Sequence, residues 1–240
     1  MFFRIAFKRL GIFSCQILLF FSSIYGKETD EFPVNLTANT LSPLMERELR
    51  GCFDFFWNEW NDNPSSPTYG MTNGDYVGLK KYSPLAIENQ GFYFTAIIIG
   101  VERGWINREE GEKRILITLK TLRSLKRIKG FWYHFIDQDT GKRGWKDSNN
   151  IELSNASSGT MLLGALAASE YFGGEIKKIT VQLYAEMDWK WFTNPVTKHP
   201  YLACYPEDLP DRLPAGITNE GMFGGWAEYA EHIFLYILAA

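Results

Sequence analysis

Cysteine and histidine are scarce in this 240-residue chain, three of each. Three cysteines make no disulfide framework, and no Cys-x-x-Cys pair occurs. His134, His199 and His232 stand at no ligand spacing to one another, so no metal is expected. Basic charge is not in excess: 25 Lys and Arg meet 28 Asp and Glu, for a net charge of −3. That argues against a nucleic-acid partner, which needs a dominant basic surface. Gly-x-Ser-x-Gly is missing, and so is a phosphate-cradling glycine loop. Gly173-Gly174 follows a helical segment instead of opening one. No cofactor is expected.

Long apolar runs are also missing beyond residues 1–26, which read as an export signal of their own. Arg4, Lys8 and Arg9 form its positive end, residues 12–24 its short apolar stretch, and Ser22, Ser23 and Gly26 its small-residue end. Cys15 lies inside the apolar run instead of closing it, which argues against a lipid anchor. The expectation is a periplasmic or secreted protein with no membrane contact after cleavage. Residues 27–40 then form a linker, and residues 41–240 a single folded domain. Cys52, on an apolar helix face, is expected to be a buried free thiol.

Aromatic residues, by contrast, are abundant: 8 Trp, 12 Tyr and 18 Phe. Six helical segments can be read between and around them, and they alternate in character. Near residues 42–60 an amphipathic stripe runs through Met45, Leu49, Cys52, Phe56 and Trp60. Residues 88–102 are apolar nearly all round. The third segment opens at Asn107 with Glu110 three residues on, a capping arrangement, and buries Ile115, Leu119, Leu122 and Leu125. Residues 152–172 are again apolar and small. A one-sided segment follows through Ile176, Ile179, Leu183, Met187 and Trp191, and an apolar one from about residue 225. A helix apolar on all sides must be surrounded, whereas a striped one can face water. The order is therefore outer, inner, outer, inner, outer, inner.

Inner-to-outer links are short, and outer-to-inner links are long, at about 61–87, 128–151 and 193–224. Loops of about 20 residues are uncommon without a job. If successive helices are antiparallel, all three long loops crown one face, beside the starts of the inner helices. The chain also ends in an apolar run with no helix stop. Either the native protein continues or a partner chain caps the last helix; continuation is the expectation.

Carboxylates gather on that face: Glu88, Glu152, Glu220, Glu228 and Glu231 near inner-helix starts, with Asp75, Asp137, Asp139 and Asp147 in loops. Cleaving a glycosidic bond takes two carboxyl groups, one protonated and one ionised. Glu231 lies among Tyr229, Ala230, Ile233 and Phe234, surroundings that favour a protonated acid. A glutamate at a helix start also complements the helix dipole. That is the reading taken for Glu88 and Glu228, while for Glu152 both stand. Asp139 reads as a turn residue. Loop aromatics such as Tyr69, Tyr76, Trp132, Trp145, Tyr205 and Trp226 could stack on sugar faces or simply pack the loops.

Several motifs resemble a bacterial glycoamylase-like family. They are Gly91-Phe92 with Thr95-Ala96, Gly104-Trp105-Ile106, Phe131-Trp132-Tyr133-His134-Phe135, Asp139-Thr140-Gly141-Lys142-Arg143 and Leu162-Leu163-Gly164-Ala165-Leu166. Trp226-Ala227-Glu228-Tyr229-Ala230-Glu231 completes the set. Members of that family include endo-β-1,2-glucanases. The resemblance implies an all-α (α/α)6 toroid, of which this chain would hold about the first half of the helices. It also implies an oligo- or polysaccharide substrate. By position Glu231 matches the acidic residue of the family's Tyr-Ser-Glu motif, and Glu152-Leu153-Ser154 opens a segment lining the sugar site. Where that segment normally carries an aspartate, this chain has Ser157. The catalytic candidates are thus Glu231 and Glu152. The sugar-contacting candidates are Trp132, His134, Asp137, Trp145, Trp226 and Tyr229. The expected activity is hydrolysis of a β-glucan, β-1,2-linked by resemblance, with a non-catalytic glycan-binding protein as the alternative.

Overall fold

A computed structural model describes residues 42–74, 83–144, 151–207, 216–226 and 232–239. The signal and linker segments, Trp145, Tyr229 and Glu231 lie outside the described residues. The chain divides into two compact units, Met1–Cys52 and Phe53–Ala240. Of the first unit, residues 42–52 are described, and they hold the opening turns of helix α1 (Pro43–Asn58). The Ser42 side chain caps that helix by accepting the Met45 N–H at 3.3 Å. Leu44 and Met45 are exposed there.

The second unit is helix-rich, with few and very short strands. Its elements after α1 are β1 (Leu85–Ala86), α2 (Ile87–Glu102), α3 (Arg108–Ser124), β2 (Phe135–Ile136) and β3 (Leu153–Ser154). Then come α4 (Asn155–Phe172), α5 (Gly174–Ala185), β4 (Ala203–Cys204), β5 (Met222–Phe223) and α6 (Ile233–Leu238). The alternation of helix character read from the sequence is present in α2 to α5, whereas α6 buries Leu235 and Leu238 and leaves Ile233, Tyr236 and Ile237 exposed. Helices α2 and α4 bury residues around most of their circumference. Helix α3 buries the stripe Ile115, Leu119 and Leu122, and α5 buries Ile176, Ile179 and Leu183. The Asn107 cap is formed, its side chain accepting the Glu110 N–H at 2.8 Å.

Two expectations need correction. The buried face of α1 in the second unit is centred on Phe53, whose ring meets Trp105 at 5.2 Å between centroids. Of the expected stripe Phe56 and Trp60 do pack against the core, but Phe53, about 100° round the helix, is buried in place of Cys52, which is exposed. Cys204 is the buried thiol, and burial followed by the nearby Glu220 charge pushes it up to about 12. Nor are the long loops structureless: of the five described strands four lie within them, and the fifth, β3, directly follows the second loop. Two-residue strands carry no periodicity, so nothing in the sequence pattern could announce them.

The inner helices approach closely because each offers a glycine. A Cβ on Gly164 would lie 2.2 Å from the Gly91 carbonyl oxygen, and one on Gly91 would lie 2.3 Å from that of Thr160. Any side chain at either position would wedge α2 from α4. Around this contact Tyr93, Phe94, Ile97, Met161 and Leu162 are fully buried. No described helix is long and apolar enough to cross a membrane.

Candidate functional site

Short strands stitch the starts of the inner helices into a collar. Strand β1 runs directly into α2 and pairs antiparallel with β2, matching Leu85 to Ile136 and Ala86 to Phe135. Strand β3 runs directly into α4 and pairs with β4, which pairs in turn with β5. Between the two groups, the His134 N–H donates to the Glu152 carbonyl at 2.9 Å. The Ile87 N–H donates to the His134 carbonyl at 3.1 Å. These bonds lay three backbones side by side and bring Glu88, His134 and Glu152 together from segments far apart in sequence.

Their side chains form one linked group. His134 Nδ1 lies 2.7 Å from Glu152 Oε1, and Nε2 lies 3.1 Å from Glu88 Oε1. Each of the three side chains is about a quarter exposed, so the group is half-desolvated yet open to a ligand. Burial alone would lower the histidine's pKa. Hydrogen bonds to Glu152 and Glu88 outweigh it and raise His134 to about 9. Burial likewise acts to raise both glutamates, but the His134 hydrogen bond and charge prevail and hold each below its usual value. The imidazolium therefore donates from both nitrogens to two carboxylates, and one negative charge remains uncompensated. Glu88 Oε2 is buried and makes no close hydrogen bond. The nearby Ser157 hydroxyl adds to holding Glu88 ionised.

The first turn of α4 is built to support this group. Ser154 caps the helix by accepting the Ser157 N–H at 3.1 Å, and Ser158 accepts the Trp132 N–H at 3.0 Å. Asn155 donates to the Tyr201 carbonyl at 2.8 Å, and its Oδ1 accepts the Trp226 indole N–H at 3.3 Å. Trp226 stacks on His232 at 4.7 Å, and the Tyr236 hydroxyl donates to the Trp226 carbonyl at 3.3 Å. Tyr205, stacked on Phe223, has its hydroxyl raised by burial and by the Glu152 charge.

Of the residues singled out by sequence, the structure brings Glu152 and His134 together. Trp226 is held at the same collar through Asn155, half-buried. Trp132 is a correction. It is fully buried, and its indole N–H donates to the Leu122 carbonyl at 3.0 Å, so no ring face is open to a sugar. Asp137 serves its own turn, accepting the Thr140 N–H and hydroxyl, both at 2.8 Å. Glu231, Trp145 and Tyr229 lie outside the described residues. Glu88 was read as a dipole partner and is in addition half of the His134 clamp. Pairing of β1 with β2 creates that contact, and the pairing has no signal in the sequence. Among the described residues, no group of three or more His, Cys, Asp or Glu is arranged to hold a metal ion.

No protein-family model matches the chain. An exo β-1,2-glucooligosaccharide sophorohydrolase (non-reducing end) from Parabacteroides distasonis is 31% identical over 223 residues, covering 78% of this chain. A glucoamylase-like protein from Bacteroides uniformis is 28% identical in structure-based comparison, with a TM-score of 0.59 over 70% of this chain. An endo-β-1,2-glucanase from Chitinophaga pinensis shares the fold at 24% identity, with a TM-score of 0.64 over 83% of this chain. The chain spans 29% of the curated relative's length, and 41% and 47% of the two solved chains.

Proposed function

We propose that this chain, which belongs to the bacterial glycoamylase-like family, acts in the hydrolysis of a β-glucan, with β-1,2 linkages as the substrate class. The observation carrying this reading is the half-open Glu88–His134–Glu152 group, set on the collar where two inner helices begin. Support comes from the curated relative, itself a β-1,2-glucooligosaccharide hydrolase. In fold, we read the alternating helices as about the first half of an (α/α)6 toroid, with α2, α4 and α6 on its inner ring. We further propose export to the periplasm or medium, directed by residues 1–26.

Chemically, Glu88 and Glu152 are both held ionised, so neither is the proton donor. Glu152 is suited to accept hydrogen bonds from sugar hydroxyls or to draw a proton from water, while the donor's role falls to Glu231. An imidazolium bonded to both carboxylates keeps them charged while the Glu152 side chain stays about a quarter exposed. Half-buried Trp226 offers a ring at the rim, against which a sugar's C–H face can lie. The test is release of reducing ends from β-1,2-gluco-oligosaccharides by the full chain, the Glu152→Gln variant and the Glu231→Gln variant. Turnover lost in both variants supports the reading, and turnover unchanged in either removes that residue from it.

A second reading, binding without cleavage, is favoured by Ser157. That residue is buried in the first turn of α4 beside Glu88, where the family resemblance leads one to expect a carboxylate. It predicts glycan affinity with no new reducing ends, and turnover gained on Ser157→Asp substitution.

A further inference from the structure

We propose that Glu88 is a positioning residue of the site: acting through His134, it fixes the Glu152 carboxylate in the orientation that meets the glycan. This rests on the glycan reading above and deepens it. A histidine side chain turns about two bonds, and a single hydrogen bond leaves it free to swing about that contact. His134 has two, at 3.1 Å to Glu88 and 2.7 Å to Glu152, from opposite ring nitrogens. Its face is also covered, because the imidazole stacks on Phe135 at 4.0 Å with 16° between planes. Glu88 itself stands in the first turn of α2, a helix pinned against α4 by the Gly91–Gly164 contact. The line of support thus runs from a rigid helix through Glu88 and His134 to Glu152.

The charge on His134 is part of the device. As an imidazolium it donates from both nitrogens, while a neutral ring can donate from one alone. Two flanking carboxylates keep the proton in place through the neutral range. The charged and titratable groups facing this unit are Glu88 from α2, Glu152 ahead of β3 and Tyr205 beyond β4, with Arg143 acting on Tyr205. Glu88 also keeps its second oxygen, Oε2, buried, with the Ser157 hydroxyl helping to hold the carboxylate ionised. A residue serving the helix dipole alone would keep such an oxygen in water, where desolvation costs nothing.

The experiment compares the full chain with its Glu88→Gln variant, in which the side chain keeps its shape and loses its charge. Three measurements are made: the melting temperature, the NMR titration of the His134 ring, and the affinity for β-1,2-linked gluco-oligosaccharides against pH. The variant is expected to stay folded. Its His134 midpoint should fall by about 1 to 3 units. Glycan affinity, level in the parent between about pH 6 and 8, should drop about tenfold across that interval in the variant. An unmoved His134 midpoint, or parallel affinity profiles, overturns the proposal. If the parent binds none of these glycans, the glycan reading itself falls. The Glu152 carboxyl carbon signal at neutral pH, where the variant's His134 sheds its proton, then decides the linkage: shifted in Glu88→Gln it upholds the link from Glu88 through His134, and unshifted it removes that link.

Discussion

At the end of the helices where links are short, Arg108, Tyr171 and Glu102 gather. Arg108 donates to the Tyr171 carbonyl at 2.7 Å, its guanidinium lies 4.7 Å from the Tyr171 ring, and the Tyr171 hydroxyl donates to Glu102. At the end where loops are long, Glu88, His134 and Glu152 gather. Both groups draw on distant segments, and both mix charge with aromatic rings. They differ in water. The first is solvent-exposed, so its charges interact weakly and are screened. Each side chain of the second is only about a quarter exposed, so its charges cost solvation and must be matched bond for bond. Fastening helix ends is cheap at the surface. A half-buried charged group with an uncompensated negative charge is costly as a fastener, and makes sense where a ligand completes it.

The comparison sharpens first within the loop end, between its supporting core and its open group. Trp132 lies beneath the collar, fully buried, with both N–H groups satisfied by Ser158 and Leu122. Trp132→Ala should cost about 3 to 5 kcal/mol in a denaturant melt. It should lower glycan affinity only in proportion to the fraction unfolded. A large loss of affinity in a fully folded variant would restore Trp132 to the sugar surface. Next in size is His134→Ala, which leaves two half-buried carboxylates facing each other. A destabilisation of about 2 kcal/mol is expected at neutral pH. Much of it should be recovered in acid, where the glutamates take up protons. Equal loss at all pH values would mean that the group is held by packing and not by charge.

Unmutated, the same group predicts a stability profile. His134 is raised from 6.5 to about 9 on folding, so its contribution is complete below pH 6.5 and is lost as pH climbs through about 9. Glu88 and Glu152 are lowered from 4.5, so theirs is complete above that value and is lost as acid protonates them. Melting temperature should therefore fall on both sides of a plateau. The alkaline shoulder should vanish in His134→Gln. Should that shoulder persist, another group is responsible.

How much of this was legible in the sequence follows from what carries a period. Helices repeat every 3.6 residues, so the inner and outer alternation, the Asn107 cap and the stripe of α3 could all be read. A one-residue error was enough to misplace Cys52 and miss Phe53. The site was half legible. Glu152 stood out as a carboxylate at an inner-helix start and His134 as part of a motif shared with the resembling family, but their union with Glu88 depends on β1 meeting β2, two residues paired with two. Composition misled at Trp132. Polar and glycine neighbours suggested a surface, yet the hairpin carrying it folds inward between α3 and α4, where the ring meets no water.

The smallest effect is expected at the short-link end, where Arg108→Ala removes a hydrogen bond to the Tyr171 carbonyl and contacts with two rings at 4.7 and 4.8 Å. Exposed interactions of this kind are worth about 1 kcal/mol or less. Tyr171 keeps its bond to Glu102, so the helix ends stay joined. Melting temperature should fall slightly, the fall should shrink in high salt as the charge is screened, and glycan affinity should not change. A loss larger than that of His134→Ala would reverse the comparison. It would mean that the exposed fastening holds the outer and inner helices together, and that the half-buried group contributes little to the fold.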